Sequence, residues 1–135
     1  MSAGERTIVG AVAVGGALGA AARYGLVTAI PPDAGRVPWA VLLVNVSGCL
    51  LIGVLMAAVT GARPPHPLAR PFLGIGVLGG YTTFSAYALD ARSLAAGGHG
   101  GTALAYVLAT ALLALPAVRV GAVATERALA GRTPR

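Results

Sequence analysis

Apolar residues fall along this chain in four long blocks separated by short polar or proline-rich connections, and each block is long enough to span a bilayer. Crossing about 30 Å of hydrocarbon takes about 20 mostly apolar helical residues, which the segments at 7–30, 38–61, 68–89 and 102–125 supply. Pro31-Pro32-Asp33 stops the first and Arg63-Pro64-Pro65 follows the second, because paired prolines remove backbone donors and end a helix. Arg70 and Asp90 bound the third, and the fourth follows Gly97-Gly98-His99-Gly100-Gly101. The pattern predicts an all-α integral membrane protein, a single four-helix transmembrane domain over residues 1–135, folded up and down through short connections. Trp39 opens the second span as an interfacial aromatic anchor.

Against that background the few polar positions inside the spans stand out, since polar groups at membrane depth face a bundle interior, a cavity or a path. Asn45 lies in the second span, with Gly48 and Cys49 on its helical face. Its amide either bonds to a neighbouring helix or offers donors to a path. In the first span Gly15, Gly19 and Arg23 recur every fourth residue. The glycines allow close helix contact, and Arg23 either snorkels to head groups or sets positive potential at the mouth of an anion path.

The third span runs through Gly74, Gly76, Gly79 and Gly80 into Tyr81-Thr82-Thr83-Phe84-Ser85-Ala86-Tyr87. Adjacent glycines followed by β-branched threonines weaken a helix, which predicts a break near its centre. The alternative is a continuous helix whose Ser and Thr bond back to the preceding turn. In the fourth span Tyr106 and Thr110 place two hydroxyls on one face, as a polar track or as interhelical bonds. Arg119 near its end snorkels.

Composition sharpens the membrane reading: 56% of the residues are apolar, 10% are charged, and mean hydropathy is +0.79. The net charge of +6 comes from arginine alone. Its arginines are scattered singly between apolar runs, which suits lipid head groups better than a nucleic-acid-binding stripe. Arg6, Arg63, Arg70, Arg127, Arg132 and Arg135 lie on the side of both termini, against Arg36 and Arg92 on the other, so the positive-inside rule places both termini in the cytoplasm. Cys49, the only cysteine, excludes an intrachain disulfide and reads as a packing residue. The first apolar segment ends in small residues like a signal-peptidase site, but it lacks a basic start beyond Arg6 and belongs to the bundle. No Asp or Glu falls within the four segments, which argues against a proton-coupled exporter of cations. No nucleophile beside a base and no phosphate loop is present, so an enzyme is not expected.

Together, Gly15-Gly16-Ala17-Leu18-Gly19-Ala20 with Arg23-Tyr24, Asn45 with Gly48 and Gly53, and Gly79-Gly80-Tyr81-Thr82-Thr83-Phe84-Ser85 resemble the fluoride channel family called Fluc or CrcB, across all four spans in order. The resemblance implies a dimer of oppositely inserted subunits with two narrow pores and a central structural sodium ion. By motif position it implies backbone carbonyls of Gly79 and Thr82 as sodium ligands, Phe84 as the first of two pore phenylalanines, and Asn45 as a pore amide. Tyr106 and Thr110 are similar to the Tyr and Ser of its fourth-span polar track, the Thr110 exchange keeping the hydroxyl, and Thr83 and Ser85 add hydroxyl donors.

Passive fluoride export, lowering cytoplasmic toxicity, is the implied activity. Burying a lone anion is prohibitive unless donors replace its water, and ring edges are positive. Tyr87 departs from the family, which has phenylalanine there. The uneven arginines imply in addition a heterodimer with an oppositely oriented paralogue, as an alternative to the homodimer. A non-conducting membrane assembly or scaffold protein is the competing reading, and a holin-like lesion former a further one; neither requires a polar residue on several helices.

Overall fold

The computed structural model describes residues 2–61 and 66–131, which are helical apart from short connections. Helix α1 (Ala3–Ala29) opens on a capping box, in which the Ser2 hydroxyl accepts from Glu5 N at 3.2 Å and the Glu5 carboxylate accepts from Ser2 N at 2.7 Å. Reciprocal bonds of this kind satisfy donors that a helix start leaves open. After Pro31-Pro32 the chain turns through Gly35 at φ +73° and enters α2 (Trp39–Gly61).

The third span is wound in three pieces. Residues Arg70–Leu78 form a π-helical segment with Pro71 in its first turn, and Gly79–Tyr81 form the single turn α3. Thr82 and Thr83 are extended, at φ −76°, ψ 156° and φ −149°, ψ 121°. Helix α4 (Phe84–Ala96) follows, with Thr83 as its N-cap accepting from Ala86 N at 3.1 Å. Gly98, at φ +82°, turns the chain into α5 (Gly100–Ala130).

Four helical stretches are long and apolar enough to cross a membrane: Ala3–Ala29, Trp39–Gly61, Arg70–Ala96 and Gly100–Ala130. In the third, helix α4 continues past residue 89, through Asp90 and Arg92, to a stop at Gly97. Asp90 therefore lies within that helix. Glu5 and Glu126 also fall within helices, but close to their ends. Arg63, Pro64, Pro65, Arg132 and Arg135 lie outside the described residues.

Glycine sets the packing. A Cβ at Gly15 or Gly19 of α1 would meet the carbonyls of Phe72 and Val77, and one at Gly76 or Gly80 would meet those of Val12 and Gly16. Backbones can touch this way only where side chains are absent. Helices α2 and α5 cross by the same device, with Gly53 against the Val118 carbonyl and Gly121 against the Leu50 carbonyl. Before the extended pair the third span packs on α1, and after it, as α4, on α5. The extended residues thus carry the chain from one side of the bundle to the other.

Candidate functional site

Two extended residues within a spanning segment release backbone groups that lipid cannot satisfy, so each must find a partner in the protein. Asn45 of α2 supplies two of them: its Nδ2 donates to the Thr83 carbonyl at 3.0 Å, and its Oδ1 accepts from Thr83 N at 2.9 Å. This amide grips one residue's backbone at both ends, as a neighbouring strand would. From α1, Arg23 Nη1 donates to the Thr82 carbonyl at 3.3 Å. Thr82 N and Oγ1 both donate to the Leu78 carbonyl, at 2.9 and 2.8 Å. The Thr83 and Ser85 hydroxyls share a bond of 3.2 Å.

Arg23 accordingly reaches inward, half-buried, to a carbonyl of the extended pair, rather than outward to head groups. Gly48 has a packing task here, since a Cβ on it would collide with the Thr82 methyl. Next to this contact, Ser47 Oγ and Tyr81 OH lie 2.9 Å apart and tie α2 to the end of α3.

An open groove of about 530 Å³ runs along this region. Asn45, Gly79, Thr82, Thr83, Phe84, Tyr87 and Thr110 line it, with Gly48 and the half-buried Cys49. Phe84 is 81% exposed. Its ring centroid stands 5.8 Å from that of Tyr87, which in turn stands 5.3 Å from that of Tyr106, both pairs tilted by 49°. The three rings form a ladder from the open face into the core, where Tyr106 is fully buried.

Most hydroxyl hydrogens along this groove are already committed. Thr110 Oγ1 donates to the Tyr106 carbonyl at 2.8 Å, Thr82 Oγ1 to Leu78, and Tyr87 Oη to the Val107 carbonyl at 3.2 Å. Asn45 has two amide hydrogens and spends one on Thr83, so its second is available to the groove.

Several sequence candidates lie elsewhere. Arg23 and Ser85 border a separate cavity of about 600 Å³, which meets the groove residues only at Thr83. Tyr106 backs the ring of Tyr87 from the core and does not line the groove. Gly15 and Gly19 are packing contacts of α1. Gly79 and Thr82 do share the groove, but one lone pair of the Thr82 carbonyl is taken by the Arg23 guanidinium, leaving the other for a further donor or cation. No group of three His, Cys, Asp or Glu side chains that could hold a metal occurs among the described residues.

Asp90 was not among the sequence candidates. Its carboxylate faces the buried Tyr106 hydroxyl closely enough for the two to interact, though neither Oδ2 nor that hydroxyl has a partner at full hydrogen-bond geometry. The signal was present in the sequence, since Phe84 to Ala96 contains neither Gly nor Pro, and nothing there ends a helix at residue 89.

Residues 10–122 match the family model described as CrcB-like protein, Camphor Resistance (CrcB). The chain belongs to the CrcB family. Curated CrcB relatives include Fluoride-specific ion channel FluC 1 of Streptomyces coelicolor, 53% identical over 128 residues that make up 95% of this chain and 83% of the relative. Fluoride-specific ion channel FluC 2 of Thermobifida fusca is 52% identical over 122 residues, 90% of either chain. Fluoride-specific ion channel FluC of Paracoccus denitrificans is 50% identical over 114 residues, 82% of this chain and 87% of the relative. With its four spanning helices, this CrcB chain is a multi-pass membrane protein of a bacterial channel family, not an enzyme.

Proposed function

We propose that this chain is a subunit of a fluoride-selective channel that lets fluoride leave the cell passively, down its electrochemical gradient. The observation that carries the proposal is the groove at the extended pair, where the spare Asn45 N–H and the exposed ring of Phe84 converge, in a chain about half identical to proteins named as fluoride channels. Fluoride is small and strongly hydrated, so a path for it must supply donors where water is stripped away. Asn45 supplies one directly, and the ring edges of Phe84 and Tyr87 present positive hydrogens. Hydroxyls of Thr83, Ser85 and Thr110 could join by turning from their present acceptors to the ion. No carboxylate among the described residues lines the groove, so no full negative charge there opposes an anion.

A groove open along one side is half of a path. A second subunit, inserted in the opposite orientation, would close it and cover Phe84. The break in the third span would then lie at the dimer centre, with the Gly79 and Thr82 carbonyls of two subunits around a structural sodium ion. Each subunit offers two oxygens, and the second lone pair on the Thr82 carbonyl leaves room for the cation beside Arg23. Sodium there would neutralise carbonyl charge and add positive potential for the anion.

The arginine distribution supports cytoplasmic termini for this chain. A strong preference for one orientation favours pairing with an oppositely oriented paralogue over a homodimer, and the numbered names of its relatives are consistent with paralogues. The test is fluoride efflux from liposomes, with chloride as control anion, for the chain alone and reconstituted with a paralogue. Fluoride release without chloride release supports the channel. Silence in both preparations, with folded protein, favours the non-conducting scaffold.

A further inference from the structure

Helix α2 meets the third span residue by residue around the break. Asn45 holds the Thr83 N–H and carbonyl, Gly48 lies under the Thr82 methyl, and Ser47 meets Tyr81. The last contact has a definite polarity. Ser47 Oγ lies 2.6 Å from the Leu43 carbonyl of its own helix, where two oxygens repel unless a hydrogen lies between them, and a serine has one hydrogen to give. The bond of 2.9 Å between Ser47 Oγ and Tyr81 Oη is therefore donated by Tyr81.

We infer that Tyr81 is a positioning residue for the fluoride path: its hydroxyl, donated to Ser47, fixes the register in which Asn45 grips Thr83, and so keeps the second Asn45 N–H turned to the groove. The inference deepens the channel reading and rests on it. Three features support it. The segment just before the extended pair is a three-residue turn that begins Gly79-Gly80, where backbone freedom is greatest and one turn is too short to hold itself. Its contact with α1 is backbone packing, Gly80 against the Gly16 carbonyl, and packing alone lets a turn slide where a directional bond does not. The bonds from Asn45 and Arg23 act on Thr83 and Thr82, whereas Tyr81 ties down the turn that leads into them.

The consequence for the path is geometric. One amide can bond the N–H and the carbonyl of a single residue only while both pairs stand opposite each other, at 2.9 and 3.0 Å here. A shift of α3 along α2 breaks one of those bonds and rotates the amide, and with it the spare N–H.

The test compares wild type, Tyr81→Phe, Ser47→Ala and the double variant. Exchange of the Thr83 amide hydrogen is followed by NMR on isotope-labelled threonine. Fluoride and chloride efflux are read by electrode in liposomes, alone or with whichever partner makes the wild type conduct, and circular dichroism and elution volume check the fold. Each single variant should speed Thr83 exchange about fivefold, the worth of one hydrogen bond, and slow fluoride efflux per folded protein by about the same factor. The double variant should be no worse than the poorer single one, because the two side chains make one bond. A Tyr81 that merely stabilises the bundle would lower the unfolding midpoint and leave efflux per folded protein at the wild-type rate, which would overturn the inference. Losses that multiply in the double variant, or Thr83 exchange that changes less than about twofold in both single variants, would overturn it while leaving the channel intact. If Tyr81→Phe does not fold, Ser47→Ala decides on the same two readings. A wild type silent under every condition would overturn the channel reading, and this inference with it.

Discussion

Where α2 crosses α5, backbone meets backbone: Gly53 lies against the Val118 carbonyl and Gly121 against the Leu50 carbonyl. At Thr82 and Thr83 the chain does the reverse, opening its backbone and closing each exposed group with a side chain sent from another helix, Arg23 from α1 and Asn45 from α2. The first region is held by shape and contains no choice of chemistry. In the second, polar groups are collected at membrane depth, and the side chains that satisfy them also face the cavities on either side. The crossing therefore serves stability alone, whereas the residues at the extended pair serve stability and function together, and the difference can be measured.

The largest effect should come from filling the glycine crossing. Gly53→Val places a branched side chain where the Val118 carbonyl already lies, and overpacking of a site that cannot shift costs about 3 kcal/mol or more. Loss of a monodisperse peak in detergent is the expected outcome, and a normal elution profile would show that α2 and α5 do not cross as closely as described. Next is Asn45→Ala, which strands the N–H and carbonyl of Thr83. Each unsatisfied group costs about 1–3 kcal/mol when fully buried, and part-burial brings the pair to about 2 kcal/mol. Folded protein with a lowered unfolding midpoint and at least tenfold slower fluoride efflux is expected.

Arg23→Met removes one bond to a carbonyl, for a loss of about 1 kcal/mol in a denaturant titration. It also removes positive charge from the cavity that Ser85 shares, so fluoride efflux should fall more than stability does. Thr110→Val should do least, about 0.5 kcal/mol in thermal unfolding, because its hydroxyl bonds only to its own helix. If its efflux nevertheless collapses, the Thr110 hydroxyl leaves the Tyr106 carbonyl to serve the ion.

Much of this division was legible in the sequence because glycines, prolines and a lone asparagine act over short range. The spacing of Gly15 and Gly19 predicted close contact, and their partners prove to be carbonyls of the third span. Asn45 stood out as an amide in an otherwise apolar helix. Its partner did not, because a two-point grip on Thr83 exists only once α2 and the third span are side by side. The same applies to Arg23, which local pattern sends to the nearest head groups and tertiary packing sends to the Thr82 carbonyl.

The continuation of the helix beyond residue 89 has a different basis. Asp90 and Arg92 look like the edge of a membrane segment, but the helix continues because Leu94 and Tyr106 bury together beyond them. The tether from Tyr87 to Val107 joins residues on different helices, and no periodicity encodes it.

The central claim is that Asn45 has two tasks at the extended pair, holding its backbone and donating to the ion. The measurement that tests it most directly is fluoride efflux through folded Asn45→Ala protein beside wild type, in the same liposomes with chloride as control. The account predicts rapid, fluoride-only release from wild type and at least tenfold slower release from the variant. Equal rates in the two, with the fold intact, would contradict it.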